Sequence, residues 1–402
     1  MRPESQKTAA CAFGIALMNM FLALPLFTVE YTRQMGSIEA AFISLARYIP
    51  QHWQDLMWFP LWYNGVPYQN TYPPLLHLSV AALAGAARIS PAQAYHALTA
   101  ALYCLGPVAL FWLAYRLSNN RVQALIAGLL YSFLSPSVLL LPDVRHDAGQ
   151  WFGPRRFQAL VQYGEGPHVA SMTLLLGAIL CLDHALAARG GQDRRDRARW
   201  FLCSIAFAAV VLCNWIGGLS LAAAVLCYLL ARGGGWRPAA LAGVYAYALA
   251  AAWIPPSTIS VIRKNAAWIH GDFGFTAWHW LYAGAFAGGL AGLLWSLQRT
   301  KAALLTRFAL LLTFAFGFIL AAAQLLDFAI VPQPKRYHLE FDMAACLLAA
   351  AVVRARAAVA IIVFLACLPL LWQERKMAGE MSRRIEITRT IEYRTAKWID
   401  RN

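Results

Sequence analysis

Residues 168–215 read HVASMTLLLGAILCLDHALAARGGQDRRDRARWFLCSIAFAAVVLCNW: an apolar run, a basic stretch from Arg189 to Arg199, and a second apolar run. A helix needs about 20 apolar residues to cross a bilayer at ~1.5 Å per residue, and each run approaches that length. The runs are continuous rather than alternating, so they read as helices. Only helices or closed barrels satisfy their backbone in lipid. The basic stretch between them belongs on the cytoplasmic side, where short loops collect Lys and Arg.

Outward from this pair the pattern repeats. Expected spans cover 8–29, 92–116, 122–141, 168–188, 200–215, 217–231, 238–254, 276–297, 308–330, 339–353 and 357–372. This predicts an all-α integral membrane protein with about 11 transmembrane helices. The loops Arg116–Arg121, Arg189–Arg199, Arg232–Arg237, Arg299–Arg307 and Arg354–Arg356 are all basic and fall on one side. The N-terminus is then cytoplasmic and the C-terminus outside. Arg2 and Lys7 precede the first span with no small-residue cleavage site after it, so it reads as a retained signal anchor. Residues 73–89 are apolar but short and begin with two prolines. Spanning there would reverse every later loop, so they read as an interfacial helix.

Composition agrees. The chain has 402 residues, 60% hydrophobic and 13% charged, too little charge to cover a soluble surface. Its net charge of +15 lies mostly in short loops, which topology explains better than nucleic-acid binding. All eight cysteines lie in apolar runs without metal-site spacing and read as small buried residues. The expected domains are 1–372, polytopic, and a polar outer tail, 373–402. That tail reads as the start of an outer soluble domain.

The chemistry gathers in the expected outer loops, 30–91, 142–167, 255–275 and 331–338. The first offers two carboxylates, Glu30 at the end of the first span and Glu39 on an amphipathic stretch, GSIEAAFISLARYI. It continues as WFPLWYNGVPYQNTYPPLLH, with Trp58, Trp62, Tyr63, Tyr68 and Tyr72 around the turn residues Asn64, Gly65 and Pro67. Aromatic rings with a polar edge suit sugar faces, and they equally suit the bilayer interface. The second loop, LPDVRHDAGQWFGPRRFQALVQYGEGPHVA, carries Asp147, Glu165 and His168 as candidate metal ligands for Mg or Mn. Its Arg155 and Arg156 can meet an anion. Carboxylate and imidazole three residues apart can reach one cation on a helical turn, or serve as a cap and an interface histidine. The last loop, VPQPKRYHLEFDMAA, places Lys335, Arg336 and His338 on the side that should be poor in positive charge. A lipid-borne phosphate is their natural partner, and an ion pair of Arg336 with Glu340 or Asp342 is the alternative. No phosphate-cradling glycine loop, dinucleotide fingerprint or serine nucleophile elbow is present, so no nucleotide cofactor is expected.

These pieces resemble the polytopic glycosyltransferases of the GT-C fold, which use polyprenyl-phosphate sugars. The resemblance covers most of the chain. It rests on the acidic first outer loop, the PLWYNGVP and YPPL stretches, the second acidic loop and the late basic loop. The GSIEAAFI, YGEGPH and PKRYHLE stretches are similar to a bacterial branch that carries a 6-pyruvoyl-tetrahydropterin synthase-related label. The metal-binding histidine set of that soluble enzyme is absent, and no pterin chemistry follows. Many members have Asp near the first span, where this chain offers Glu30 and Glu39.

The resemblance implies inverting sugar transfer from a polyprenyl phosphate to an acceptor on the outer face of a bacterial inner membrane. Glu39 or Glu30 would take the acceptor proton. Lys335 and Arg336, with His338, would hold the donor phosphate, with a divalent cation on Asp147, Glu165 and His168 as an addition. The aromatic run, Arg155 and Arg156 would line the substrate path. Two other classes share these features: a non-catalytic assembly or saccharide-binding subunit, and a transporter of lipid-linked saccharides.

Overall fold

The computed structural model describes residues 3–401 apart from 35, 63, 150, 188–193 and 267–275. Tyr63 therefore lies outside the described residues. A first long helix, α1 (Pro3–Ala23), leads to the amphipathic α2 (Glu39–Gln51). Between α2 and the next helix the chain makes a small antiparallel ribbon, β1 (Trp58–Phe59) with β2 (Val66–Pro67). Its turn depends on Gly65, at φ +107°, whose missing Cβ would stand 2.4 Å from the Trp58 ring. Then comes α3 (Leu75–Ala87), 13 residues and about 20 Å long, too short to cross a bilayer.

The bundle proper begins with α4 (Pro91–Ser118) and α5 (Arg121–Phe133). Local chemistry sets this hairpin. Ser90 caps α4 by accepting from the Gln93 amide at 3.2 Å. Asn119 closes α4 in the left-handed conformation, and the Asn120 side chain caps α5 through the Val122 and Gln123 amides at 2.9 and 3.2 Å. Short helices α6 (Pro136–Leu140), α7 (Pro142–Ala148) and α8 (Arg155–Val161) fill the second loop. Then follow α9 (Gly166–Leu186), α10 (Arg194–Cys213), α11 (Trp215–Arg232), α12 (Trp236–Ala250), α13 (Pro256–Ala266), α14 (Ala277–Arg299) and α15 (Leu304–Leu325). The chain closes with α16 (His338–Val352), α17 (Ala357–Met381) and α18 (Ile391–Arg401).

A helix coincides with each of the eleven expected spans, and the chain is an all-α membrane protein. Seven of these helices are long and apolar enough to cross a bilayer by themselves. The other four differ for visible reasons: α5, α12 and α16 have 13, 15 and 15 residues, and α10 opens on the charged run RRDRAR. The tail is less separate than its polarity suggests. Helix α17 runs on to Met381, and the chain then pairs with the first loop, Arg33 donating to Arg383 and Ile385 to Tyr31, both at 3.1 Å.

The C-terminal ends of α4, α9 and α11 meet at one end of the bundle around Asp183, which is buried. It takes Arg116 Nε at 2.6 Å, the Tyr228 hydroxyl at 2.5 Å and Arg232 at 3.5 Å. Two loops read as basic from sequence thus supply cations to one carboxylate. Asp183→Ala leaves both arginines and Tyr228 without their acceptor. The expected loss is about 2 kcal/mol, because both cations stay partly solvated. Thermal denaturation in detergent checks it, and an unchanged midpoint would contradict the clamp.

Candidate active site

The opposite end of the bundle holds the N-termini of α9 and α16 and the loops that precede them. There Asp147, Arg155, Glu165, His168, Lys335, Arg336 and His338 line one cavity of about 430 Å³. Tertiary packing brings together residues of two distant sequence segments, all singled out from the sequence.

The cavity is built of opposed charges. Arg336 Nη2 lies 3.1 Å from Glu165 Oε1, and Lys335 Nζ lies 3.8 Å from Asp143 Oδ2. Arg155 bonds Asp147, whose other oxygen takes the Tyr163 hydroxyl. Partial burial works against the Asp147 anion, but the Tyr163 bond and the Arg155 charge prevail and hold its carboxyl below the ordinary range. Arg336 pairs with neither Glu340 nor Asp342, the partners offered as alternatives. Those side chains turn into the bundle. Glu340 accepts from His168 at 2.8 Å and Ser220 at 2.7 Å, and Asp342 accepts from the Ser137 amide and hydroxyl at 2.6 and 2.9 Å.

Several expectations are corrected. His338 does not add positive charge. Its Nδ1 lies 2.9 Å from the Lys335 carbonyl and must donate, while its Nε2 accepts from Arg155 Nε at 3.1 Å, so the ring is neutral. Arg156 does not line the cavity, because neighbours on a helix point about 100° apart. It is buried between the Tyr103 and Tyr131 rings, 4.0 and 4.5 Å from their centroids, and donates to Asn19 at 3.2 Å. The proposed metal set does not fit a cation. Asp147 and Glu165 are each held by a guanidinium and His168 by Glu340. Among the described residues no three His, Cys, Asp or Glu side chains gather as ligands.

The aromatic run also lies elsewhere. Tyr68 is buried, stacked on Tyr48 and edge-on to Trp253, and the exposed Trp58 covers the Gly65 turn. Trp62 lines a separate cavity of about 570 Å³, and Tyr72 accepts from Asn214 at 2.8 Å. Tyr68, with Trp62 and Tyr72 packed against it, makes a local core under the first loop, and none of these rings lines the charged cavity.

Glu39 occupies a second cavity of about 300 Å³, with Thr32, Ser37, Arg47, Tyr48 and Ile387 on its walls. Glu30 is half-buried and lines neither cavity. The two cavities share a wall made by residues 36–39 and 163–165. Ile38 donates to the Tyr163 carbonyl at 3.3 Å, and Gly36, Ile38 and Glu165 line the charged side. The Tyr95 hydroxyl, bonded to the Gly164 carbonyl at 3.3 Å, lies within electrostatic reach of both Glu39 and Glu165. At Gly164, φ is +72°, and a Cβ would stand 2.5 Å from the Glu39 amide nitrogen. Gly164→Ala should therefore push the wall apart, with a destabilisation of about 1–3 kcal/mol. Thermal denaturation checks this, and a wild-type midpoint in the variant would show that the wall tolerates the side chain.

Sequence reading missed Tyr163, which lines the charged cavity, and His96 and Ser220, which bond Glu39 and Glu340 behind the cavity walls. His96 carried a usable signal, since an ionisable residue inside an apolar run is by default a functional candidate.

Fold and site thus define a polytopic α-helical membrane protein with charged cavities at one end of its bundle. The chain is similar in structure to an oligosaccharyltransferase of Archaeoglobus fulgidus, whose crystal structure carries a tethered acceptor peptide with the NVT sequon. The TM-score is 0.54 at 13% identity, over 98% of this chain and 57% of that one. The likeness supports a GT-C-like fold. This chain spans little more than half the length of that structure. No protein-family model and no curated protein matches the sequence.

Proposed function

We propose that this protein is a membrane glycosyltransferase that moves a sugar from a polyprenyl-phosphate donor to an acceptor outside the cytoplasm, in a bacterial inner membrane with the N-terminus cytoplasmic. The observation that carries the reading is the charged cavity. Three cations, Lys335, Arg336 and Arg155, stand beside three carboxylates, Asp143, Asp147 and Glu165. A simple anion would meet repulsion there. A sugar phosphate suits both sets, its phosphate on the cations and its hydroxyls donating to the carboxylates.

In this reading Lys335 and Arg336 hold the donor phosphate and neutralise it as it leaves. Glu39 takes the proton of the acceptor from across the shared wall. The acceptor oxygen or nitrogen bonds the anomeric carbon, the bond from that carbon to the phosphate oxygen breaks, and the electron pair leaves with the phosphate. Attack and departure on opposite faces invert the anomeric centre. No step is routed through a divalent cation, because the carboxylates and His168 are already engaged.

The test is binding of polyprenyl phosphate and its sugar-loaded forms to the protein in nanodiscs, wild type against a Lys335→Ala/Arg336→Ala double variant. Saturable binding lost in the double variant is the expected result. No binding by folded wild type removes the donor reading and leaves a non-catalytic membrane subunit.

A further inference from the structure

Two histidines near the cavities make the same backbone contact and face opposite partners. His338 donates from Nδ1 to the Lys335 carbonyl, and its Nε2 accepts from Arg155. That arrangement is complete with a neutral ring. His96, buried in α4, has Nδ1 3.2 Å from the Val29 carbonyl oxygen. A carbonyl oxygen only accepts, so this Nδ1 carries a hydrogen. His96 Nε2 then lies 3.2 Å from Glu39 Oε2. A neutral ring protonated at Nδ1 offers only a lone pair at Nε2, and a carboxylate also offers only lone pairs. Two acceptors facing each other at this distance in a buried site leave both lone pairs unsatisfied, which is unfavourable. One proton must lie between them.

We propose that Glu39 and His96 hold a single shared proton and work as one proton-accepting dyad, with His96 as the positioning residue that fixes which oxygen of Glu39 faces the acceptor. The inference rests on the role given to Glu39 above. The surroundings leave the pair to itself. Oε1 of Glu39 takes the Thr32 hydroxyl at 3.3 Å, and Ser37 bonds the Glu39 amide. Arg47, two turns along α2, donates instead to the Tyr31 hydroxyl at 3.2 Å. Tyr95 packs edge-on against the His96 ring, and Glu165 lies across the wall. None of these places a second formal charge in contact with the pair.

The proton balance is the same wherever the shared proton starts. The acceptor's proton arrives on Oε1 of Glu39, the oxygen that also takes the Thr32 hydroxyl. If the shared proton is on His96, it stays there. If it is on Glu39, it crosses to Nε2. Either route ends with a neutral carboxyl and an imidazolium, while the acceptor gains its bond to the anomeric carbon. The dyad is neutral before transfer and singly positive after it. It resets by losing one proton to water in the Glu39 cavity.

The test uses the full chain in nanodiscs, labelled with ¹⁵N-histidine, and reads the shared proton directly at neutral pH. Nitrogen NMR should show a doubly protonated imidazole, or infrared spectroscopy a protonated carboxyl band. The signature found in wild type should be lost in both Glu39→Gln and His96→Gln. A residue that only fills space would move neither spectrum in this paired way. The buried His168–Glu340 pair can give the same signature, so the signal of the dyad is the one lost in His96→Gln. No signal lost in folded His96→Gln overturns the dyad, and so does one that is lost there but survives Glu39→Gln. His96→Asn serves as the second variant if His96→Gln fails to fold. Polyprenyl phosphate binding, measured on the same samples, separates the two proposals. A dyad without binding defeats the donor reading alone, and binding with a neutral His96 beside an ionised carboxylate defeats the dyad alone.

Discussion

Arg336→Ala is expected to weaken polyprenyl phosphate binding about 100-fold, equivalent to ~2.7 kcal/mol, while leaving the folded fraction nearly intact. The size follows from what the side chain offers a ligand. A charged hydrogen bond is worth roughly 1.5–3 kcal/mol, and a guanidinium can supply two to one phosphate. The substitution also leaves Glu165, 14% exposed, without the cation 3.1 Å away, so an incoming phosphate meets an uncompensated carboxylate. The pair itself contributes little to stability, since the Arg336 side chain is 41% exposed and such pairs give about 0–1 kcal/mol. Arg336→Lys keeps the charge but loses the fork and should recover only part of the affinity. Titration of each variant in nanodiscs checks the order wild type, Lys, Ala. Wild-type affinity in the alanine variant would end the phosphate role of Arg336.

Glu340→Ala is expected to be the most destabilising single change, by about 3–5 kcal/mol. Glu340 is fully buried and accepts from both His168 and Ser220. Its removal strands two buried polar groups from α9 and α11 and opens a void at the start of α16. Glu340→Gln keeps one carbonyl oxygen for these donors and a similar volume, so it should cost much less, about 1–2 kcal/mol. The comparison is thermal unfolding in detergent of wild type, Gln and Ala. Equal midpoints for Gln and Ala would mean that shape rather than hydrogen bonding holds this junction. The same series bears on the site, because His168 lines the charged cavity and Glu340 fixes its ring.

The segments of the fold were legible because a membrane span is a property of contiguous residues. About 20 apolar side chains in a row specify a helix in lipid whatever lies elsewhere. Seven of the eleven expected spans met a long apolar helix for that reason, and the other four met shorter or partly charged helices. The caps at Ser90 and Asn120 are equally local. So was the residue content of the charged cavity, since cations and carboxylates crowded into loops between spans have few other uses.

Partner choice was not legible. Arg336 meets Glu165, 171 residues away, rather than Glu340 four residues on. His168 meets Glu340, 172 residues away, rather than a cation shared with its near neighbour Glu165. Arg155 enters the cavity while Arg156 enters the core, a split set by the rotation of one short helix. Tyr68 of the aromatic run read as a substrate wall but packs against Tyr48 and Trp253, residues whose approach depends on how α2 and the end of α12 dock. Sequence by itself determined which segments are apolar helices and which residue types gather at one end of the bundle. Only the tertiary structure decided which charge neutralises which, because ion pairing falls off within a few ångströms and those distances are fixed by packing between helices far apart in the chain.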